Sequence, residues 1–267
     1  MNARLLRLAA AGAPFLVQAP ALAACPDMAT VARFGQALIE RRVPAPFGVT
    51  TLAEALCARD RLVATLAQPW GDVEGFAIAG EATPPLRGAL FHATLRERSG
   101  ATMDARFGAR PAVAPGLLLR LGRDGIEAAA PAAMLAHVEA AGPYLALLDL
   151  AAMPEGGGTM ARIAGNLGLR LGVVGAAMPV TDAAALAADA TLQADGSVVA
   201  SLSALGLAAP ALDLLAQLAR ELAAEGRPLR AGEHVALLAA PAPFAPRAGE
   251  TWRLSVAGLG AVSVAFR

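Results

Sequence analysis

Two short runs constrain the fold of this chain more than any other feature. "GLLLRLG" (116–122) and "YLALLDL" (144–150) are apolar almost without interruption. A strand with one solvated face alternates apolar and polar residues, so near-continuous runs belong to strands covered on both faces. The chain must therefore build a sheet with a layer on each side. With 267 residues it is long enough to do so around a substantial core.

The flanking segments supply those layers. "MATVARFGQALIERR" (28–42) has apolar residues at helical spacing. "TLAEALCARDRLVATLA" (51–67) opens with Thr51 and Glu54 in the register of a capping box. "PALDLLAQLARELAAEG" (210–226) begins at Pro210 and stops at Gly226. "PAAMLAHVEAAG" (131–142) carries the same punctuation and is expected to be a helix too. Strands are expected over 73–80 and 234–240. A hairpin turning at Asp195-Gly196 is expected over 193–200, and two alternating strands over 251–267. The fold class is α+β (mixed), with much antiparallel pairing. A helical segment over 25–70 precedes a larger domain over 71–267.

Composition excludes several functions. The apolar fraction is 56% and owes much to alanine, yet no run of eighteen apolar residues occurs beyond residue 30, so no transmembrane span is expected. Lys plus Arg and Asp plus Glu balance at 22 each, with no basic tract, which argues against a nucleic-acid partner. All the basic side chains besides histidine are arginine; the chain has no lysine. No side chain can therefore form a Schiff base or act as an amine base.

The first 24 residues have the layout of a secretory signal. Arg4 and Arg7 precede an apolar stretch that ends in Ala21-Leu22-Ala23. A periplasmic or secreted protein is the expectation. "LAAC" (22–25) also fits a lipobox, which would make the protein a lipoprotein anchored through Cys25. In an oxidising compartment the two cysteines, Cys25 and Cys57, have one intramolecular pairing available. A disulfide is the favoured arrangement, two separate thiols the alternative.

No active site is visible from residue types alone. His92, His137 and His234 lack metal-ligand spacing, and His92 and His137 read as structural. Asp72 and Glu74 lie two apart at a strand entrance, where both can share a face. "PEGGGTMARIAG" (154–165) is glycine-rich but lacks the lysine of a phosphate loop. No Gly-x-Ser-x-Gly elbow occurs. The arginines can serve an anionic ligand, but the sequence does not say which of them converge.

The tail, "GRPLRAGEHVALLAAPAPFAPRAGETWRLSVAGLGAVSVAFR" (226–267), resembles the end of the 2-keto-4-pentenoate hydratase family, which is related to the fumarylacetoacetate hydrolases. Pro246, Gly249-Glu250 and the run from Gly258-Leu259-Gly260 to Phe266 carry the likeness, and "NLGLRLGVVGAAMPV" (166–180) resembles a second family motif. "TLAEALCARDRLVATL", with "AACP" before it, is similar to an exported branch that keeps both cysteines. The resemblance implies a twisted β-roll with flanking helices. It also implies Mg²⁺ or Mn²⁺ held by an E-x-E pair and an E-x-x-D glutamate, with a lysine assisting proton transfer. Residues two apart on a strand point the same way, so both E-x-E oxygens reach one ion.

On that frame the E-x-E positions are Ala114 and Gly116, and the E-x-x-D glutamate is Ala146, while Asp149 remains as a candidate substrate-binding residue. The lysine position is Ala77. The resemblance thus implies a pseudoenzyme with no metal cofactor, its four altered positions lining one concavity. It would bind a small organic acid, form a homo-oligomer or bind an active paralogue. The alternative is a working hydro-lyase with relocated ligands, Asp72, Glu74, Glu81 and Asp149.

Overall fold

Asp27 opens the first helix: its carboxylate accepts the Thr30 backbone N–H at 2.7 Å, satisfying a donor that the first turn leaves over. A computed structural model describes residues 25–80, 86–154, 156–239 and 243–267, and there α1 spans Met28–Ile39. The expected leader over 1–24 and Glu81 lie outside the described residues. The second helix, α2 (Leu52–Trp70), starts with the anticipated capping box, since Thr51 and Glu54 bond reciprocally. Val31, Phe34 and Leu38 of α1 pack on Leu62, Leu66 and Trp70 of α2. A disulfide between Cys25 and Cys57 ties the start of this pair to α2. A sulfur held in that bond cannot carry a thioether lipid, so the disulfide and lipidation through Cys25 exclude one another.

The chain then enters the sheets. β1 (Val73–Ala79) and β2 (Leu86–Phe91) form an antiparallel pair, followed by α3 (His92–Leu95), β3 (Glu97–Arg98) and β4 (Ala101–Met103). The two dense apolar runs become the long strands β5 (Pro111–Leu121) and β6 (Val138–Asp149), paired antiparallel. Next come α4 (Gly158–Ala164), β7 (Leu169–Val174), β8 (Met178–Pro179), β9 (Ala190–Ala194) and β10 (Ser197–Leu202). The chain closes with α5 (Ala211–Ala224), β11 (His234–Leu238), β12 (Thr251–Val256) and β13 (Gly260–Phe266).

Among the described residues one sheet runs β2-β1-β11-β5-β6-β7-β3 with β8 beside β6, and a second runs β10-β9-β12-β13-β4. Both faces of the first are covered, as the runs require. Odd positions of β5 and β6, including Leu117, Leu119, Leu145 and Leu147, meet Leu192, Leu254 and Val262 of the second sheet, and Leu214 and Leu218 of α5. Even positions, including Ala112, Ala114, Ala146 and Leu148, meet Ala55 and Ala58 of α2, and Ile163 and Ala164 of α4. Arg87 of β2 and Arg59 of α2, both buried, close the gap beside α5: each pairs with Glu225, and Arg87 also reaches Glu221 at 3.5 Å.

The helix expected over 131–142 is corrected. Pro131–His137 forms a short 3-10 helix, and β6 begins at Val138. The backbone of 138–142 pairs with β5 instead, and Gly142 serves close packing: a Cβ there would lie 2.6 Å from the Ala176 carbonyl oxygen. The hairpin at Asp195-Gly196 forms as expected, with both residues at positive φ.

Asn166 finishes the first sheet. Strand β2 is the last in its row, and the Asn166 side chain accepts the Ala89 N–H at 2.6 Å and donates to the Ala89 carbonyl at 3.0 Å. One amide thereby supplies both bonds that a further strand would offer at that point. Because Asn166 is buried, Asn166→Ala leaves two unpaired backbone groups, and a loss of about 2–4 kcal/mol is expected in urea unfolding. Reducing the disulfide under otherwise native conditions is expected to remove about 3–4 kcal/mol, measured by the same unfolding curve with and without reductant.

Candidate functional site: an arginine-flanked apolar cavity

The register of β5 and β6 sets the site. Ala114 stands opposite Ala146, and Ala112 opposite Leu148. Strand β11 joins this pair to β1, with Ala236 beside both Leu118 and Ala77. Ala77, Ala114 and Ala146 therefore share one sheet face and one apolar cluster. Gly116 shares the face by parity, but a Cβ there would lie 2.8 Å from the Leu237 carbonyl oxygen and 3.2 Å from Leu238 Cδ2. No side chain fits at Gly116 in this packing.

A cavity of about 510 Å³ opens at one end of this face. Ala79, Ala114, Leu148 and Leu238 form apolar wall, and Arg110 and Arg162 bring the charge. The expectation that four altered positions line one concavity is corrected: of the four, Ala114 does so. Ala77 and Ala146 are fully buried in the layer, and the residues two further along their strands, Ala79 and Leu148, line the cavity in their place. Arg110 and Arg162 both lie in stretches notable in the sequence, but their convergence depends on the turn before β5 meeting α4.

Asp149, the candidate substrate-binding residue, is held by the backbone around it. It is 2% exposed, and its carboxylate accepts three backbone N–H groups, from Ala109 and Arg110 at 2.9 Å and Ala151 at 3.0 Å. A Cβ at Gly108 would come within 2.6 Å of that carboxylate, so glycine there lets the chain wrap Asp149. The result is a brace that fixes the backbone of Arg110 beside the cavity.

Solved structures share this architecture. The 4-oxalocrotonate decarboxylase of Pseudomonas putida G7, complexed with magnesium and adipate, aligns with a TM-score of 0.79 at 17% identity, over 90% of this chain and 97% of that one. Fumarylpyruvate hydrolase from Pseudomonas aeruginosa, in complex with Mn²⁺ and pyruvate, aligns with a TM-score of 0.56 at 16% identity, over 72% and 89%. A Yersinia pestis CO92 protein described as of the fumarylacetoacetate hydrolase family gives 0.57 at 16% identity, over 73% and 92%. The fold is fumarylacetoacetate hydrolase-like. No protein-family model and no curated protein matches the sequence, and at such identities the likeness is one of architecture.

In this fumarylacetoacetate hydrolase-like fold the described residues of the cavity wall do not fit a hard cation. Mg²⁺ and Mn²⁺ need several oxygen ligands, and the side chains of Ala79, Ala114, Leu148 and Leu238 carry none. Among the described residues no group of three or more His, Cys, Asp or Glu is placed to hold an ion. The relocated set is not assembled from its described members either. Glu74 binds His92 Nδ1 at 2.7 Å, the Asp72 carbonyl takes the His92 N–H, and Asp149 is held by backbone as above.

A second cavity, of about 480 Å³, lies at the other end of the same face, where Arg98, Arg120 and His234 meet. Arg120 pairs with Glu139 at 2.9 Å, and burial lowers the His234 pKa. Tyr144 sits between the two cavities, fully buried, and its hydroxyl donates to the Thr94 carbonyl at 3.0 Å. Burial pushes its pKa well above the usual phenol range. An unfolded tyrosine ionises near pH 10, so stability is complete below about pH 10 and falls as pH rises past it, while the folded phenol stays protonated. Tyr144 is the single tyrosine. Phenolate absorbance is therefore expected only as the protein unfolds in alkali; a reversible titration of the folded protein near pH 10 would show the ring to be solvated.

Proposed function

We propose that this chain is an exported pseudoenzyme of 2-keto-4-pentenoate hydratase-like ancestry that binds a small organic acid without a divalent cation and without turnover. The observation that carries the reading is the cavity itself, where Arg110 and Arg162 share the lining with Ala114, one of the sheet positions expected to hold a carboxylate. A cation bound by three carboxylates can grip a substrate acid through the metal; without both, a guanidinium can bind the acid directly as a planar fork. Arg162 from α4 and Arg110, placed by Asp149, would take that part.

The same exchange removes the chemistry. Hydration of a 2-hydroxydienoate requires charge stabilisation at a developing enolate and a group to move the proton. Among the described residues the apolar wall offers neither, and the chain has no lysine. Adipate and pyruvate in the complexes of the decarboxylase and the hydrolase support small acids as the class of ligand. The signal-like leader and the Cys25–Cys57 disulfide support export.

Isothermal titration separates this reading from a working metalloenzyme. Acids from acetate to adipate are expected to bind in a buffer containing chelator, and Arg162→Ala to weaken them by roughly tenfold. Hydration of 2-hydroxypenta-2,4-dienoate is expected at background rate with Mg²⁺ or Mn²⁺ present. A stoichiometric micromolar metal site, or turnover above background, overturns the proposal.

A further inference from the structure

The second cavity, of about 480 Å³, gathers basic side chains from three separate strands: Arg98 of β3, Arg120 of β5 and His234 of β11. Arg120 and His234 are register partners on neighbouring strands, so their side chains stand next to each other on one face. Arg98 belongs to the far end of the row, where β3 pairs with β7 and Arg98 lies opposite Val174. Ala140, Gly142 and Val174 line the space between the arginines, and their short side chains leave it open. The row curves enough to bring its parts together, since the charges of both Arg120 and Arg98 reach the His234 imidazole.

Two guanidiniums at one opening attract a counter-charge. Arg120 has one in Glu139 at 2.9 Å, but each member of that pair is about half exposed, and such a pair holds weakly in water. Among the described residues Arg98 has no carboxylate partner. His234 adds an imidazole whose Nδ1 atom is buried and without a hydrogen-bond partner among the described residues.

From this convergence we infer that the second cavity is an anion site, and that it takes a tetrahedral dianion of the phosphate or sulfate class. One guanidinium fork satisfies a planar carboxylate, whereas a tetrahedral oxyanion presents oxygens in several directions and takes donors from opposite walls. Arg98 and Arg120 supply two such walls, and His234 stands beside Arg120. The volume exceeds that of a bare oxyanion, so an ester that lays a small organic group over Leu118 and Val174 also fits. Tyr144, fully buried, separates this site from the first cavity, and the inference does not depend on what binds there.

Binding is coupled to a proton. Burial holds the His234 pKa down; the backbone and carboxylate of Glu74, on β1, oppose that, and Arg120 and Arg98 reinforce it. An anion between the arginines cancels their repulsion and favours the imidazolium, so the His234 pKa rises on binding. By linkage, affinity for the anion rises as pH falls through that pKa.

The test follows the three histidines by proton NMR in the chain with its disulfide intact, using sodium sulfate and sodium acetate, each against sodium chloride of equal ionic strength. Sulfate keeps its charge between about pH 5 and 8, the range in which histidine titrates, so a pH dependence belongs to the protein. Sulfate is expected to shift the His234 resonance, assigned with His234→Gln, to saturation and to raise its pKa, while His137 stays at its chloride value. It is expected to bind about tenfold tighter than acetate. Arg98→Ala should weaken sulfate by about tenfold, and Glu139→Gln, which releases the Arg120 fork, should strengthen it by about twofold to fivefold. Calorimetry should show tighter sulfate binding at the acid end of the range, with a flat profile in His234→Gln. A His234 response no larger with sulfate than with chloride, or one that Arg98→Ala leaves intact, refutes the anion site. Acetate that equals sulfate refutes the dianion, and an affinity that does not rise toward acid refutes the proton coupling. A response lost in Arg162→Ala rather than in Arg98→Ala puts the anion in the first cavity and overturns the assignment.

Discussion

Backbone pairing between β5 and β6 runs from Pro111 opposite Asp149 to Leu121 opposite Val138, shifting register only after Arg120, and the side-chain directions around the site follow from that register. Odd residues turn toward the second sheet and even residues toward α2 and α4. A slip by one residue would exchange the two sets and bring leucines to the alanine side. The ladder also ends usefully: its last residue, Asp149, gathers the backbone of 109–110 and so determines where Arg110 begins. Position at the wall and charge beside it are two consequences of one alignment of strands.

Alanine stands at 114 and 146, where the family resemblance places acidic ligands, and the two residues face each other across the ladder. Carboxylates clustered in a partly buried space raise one another's pKa and need a counter-ion to stay ionised. Alanine removes both the repulsion and the requirement, and its methyl joins the layer beneath α2 and α4. The small side chains also let helices approach the sheet closely, as Ala55 and Ala58 do from α2.

What could be read from the sequence was local physics. The Thr51–Glu54 box and the Asp195-Gly196 hairpin depend on neighbours a few residues away, the doubly covered strands announce themselves in their own apolar runs, and each forms. The helix expected over 131–142 rested on Pro131 and Gly142 as its punctuation, while the partner that makes 138–142 a strand lies in β5. The wall of the cavity was misplaced by two residues on two strands for a related reason. Strand periodicity is two, so Ala146 and Leu148 are equivalent in pattern, and only the point at which the layer above them stops decides which meets the cavity. The meeting of Arg110 with Arg162 is tertiary, and nothing local announces it.

Asn166 leaves one more mark on the molecule's behaviour. The outermost strand of a sheet is a template on which another chain can add itself, the first step of ordered aggregation. Here a single amide occupies Ala89 on that rim, while α4 and the left-handed Asn166–Gly168 corner crowd the approach. At Ala89 the template is interrupted by a side chain, where a further strand would otherwise be needed to fill it.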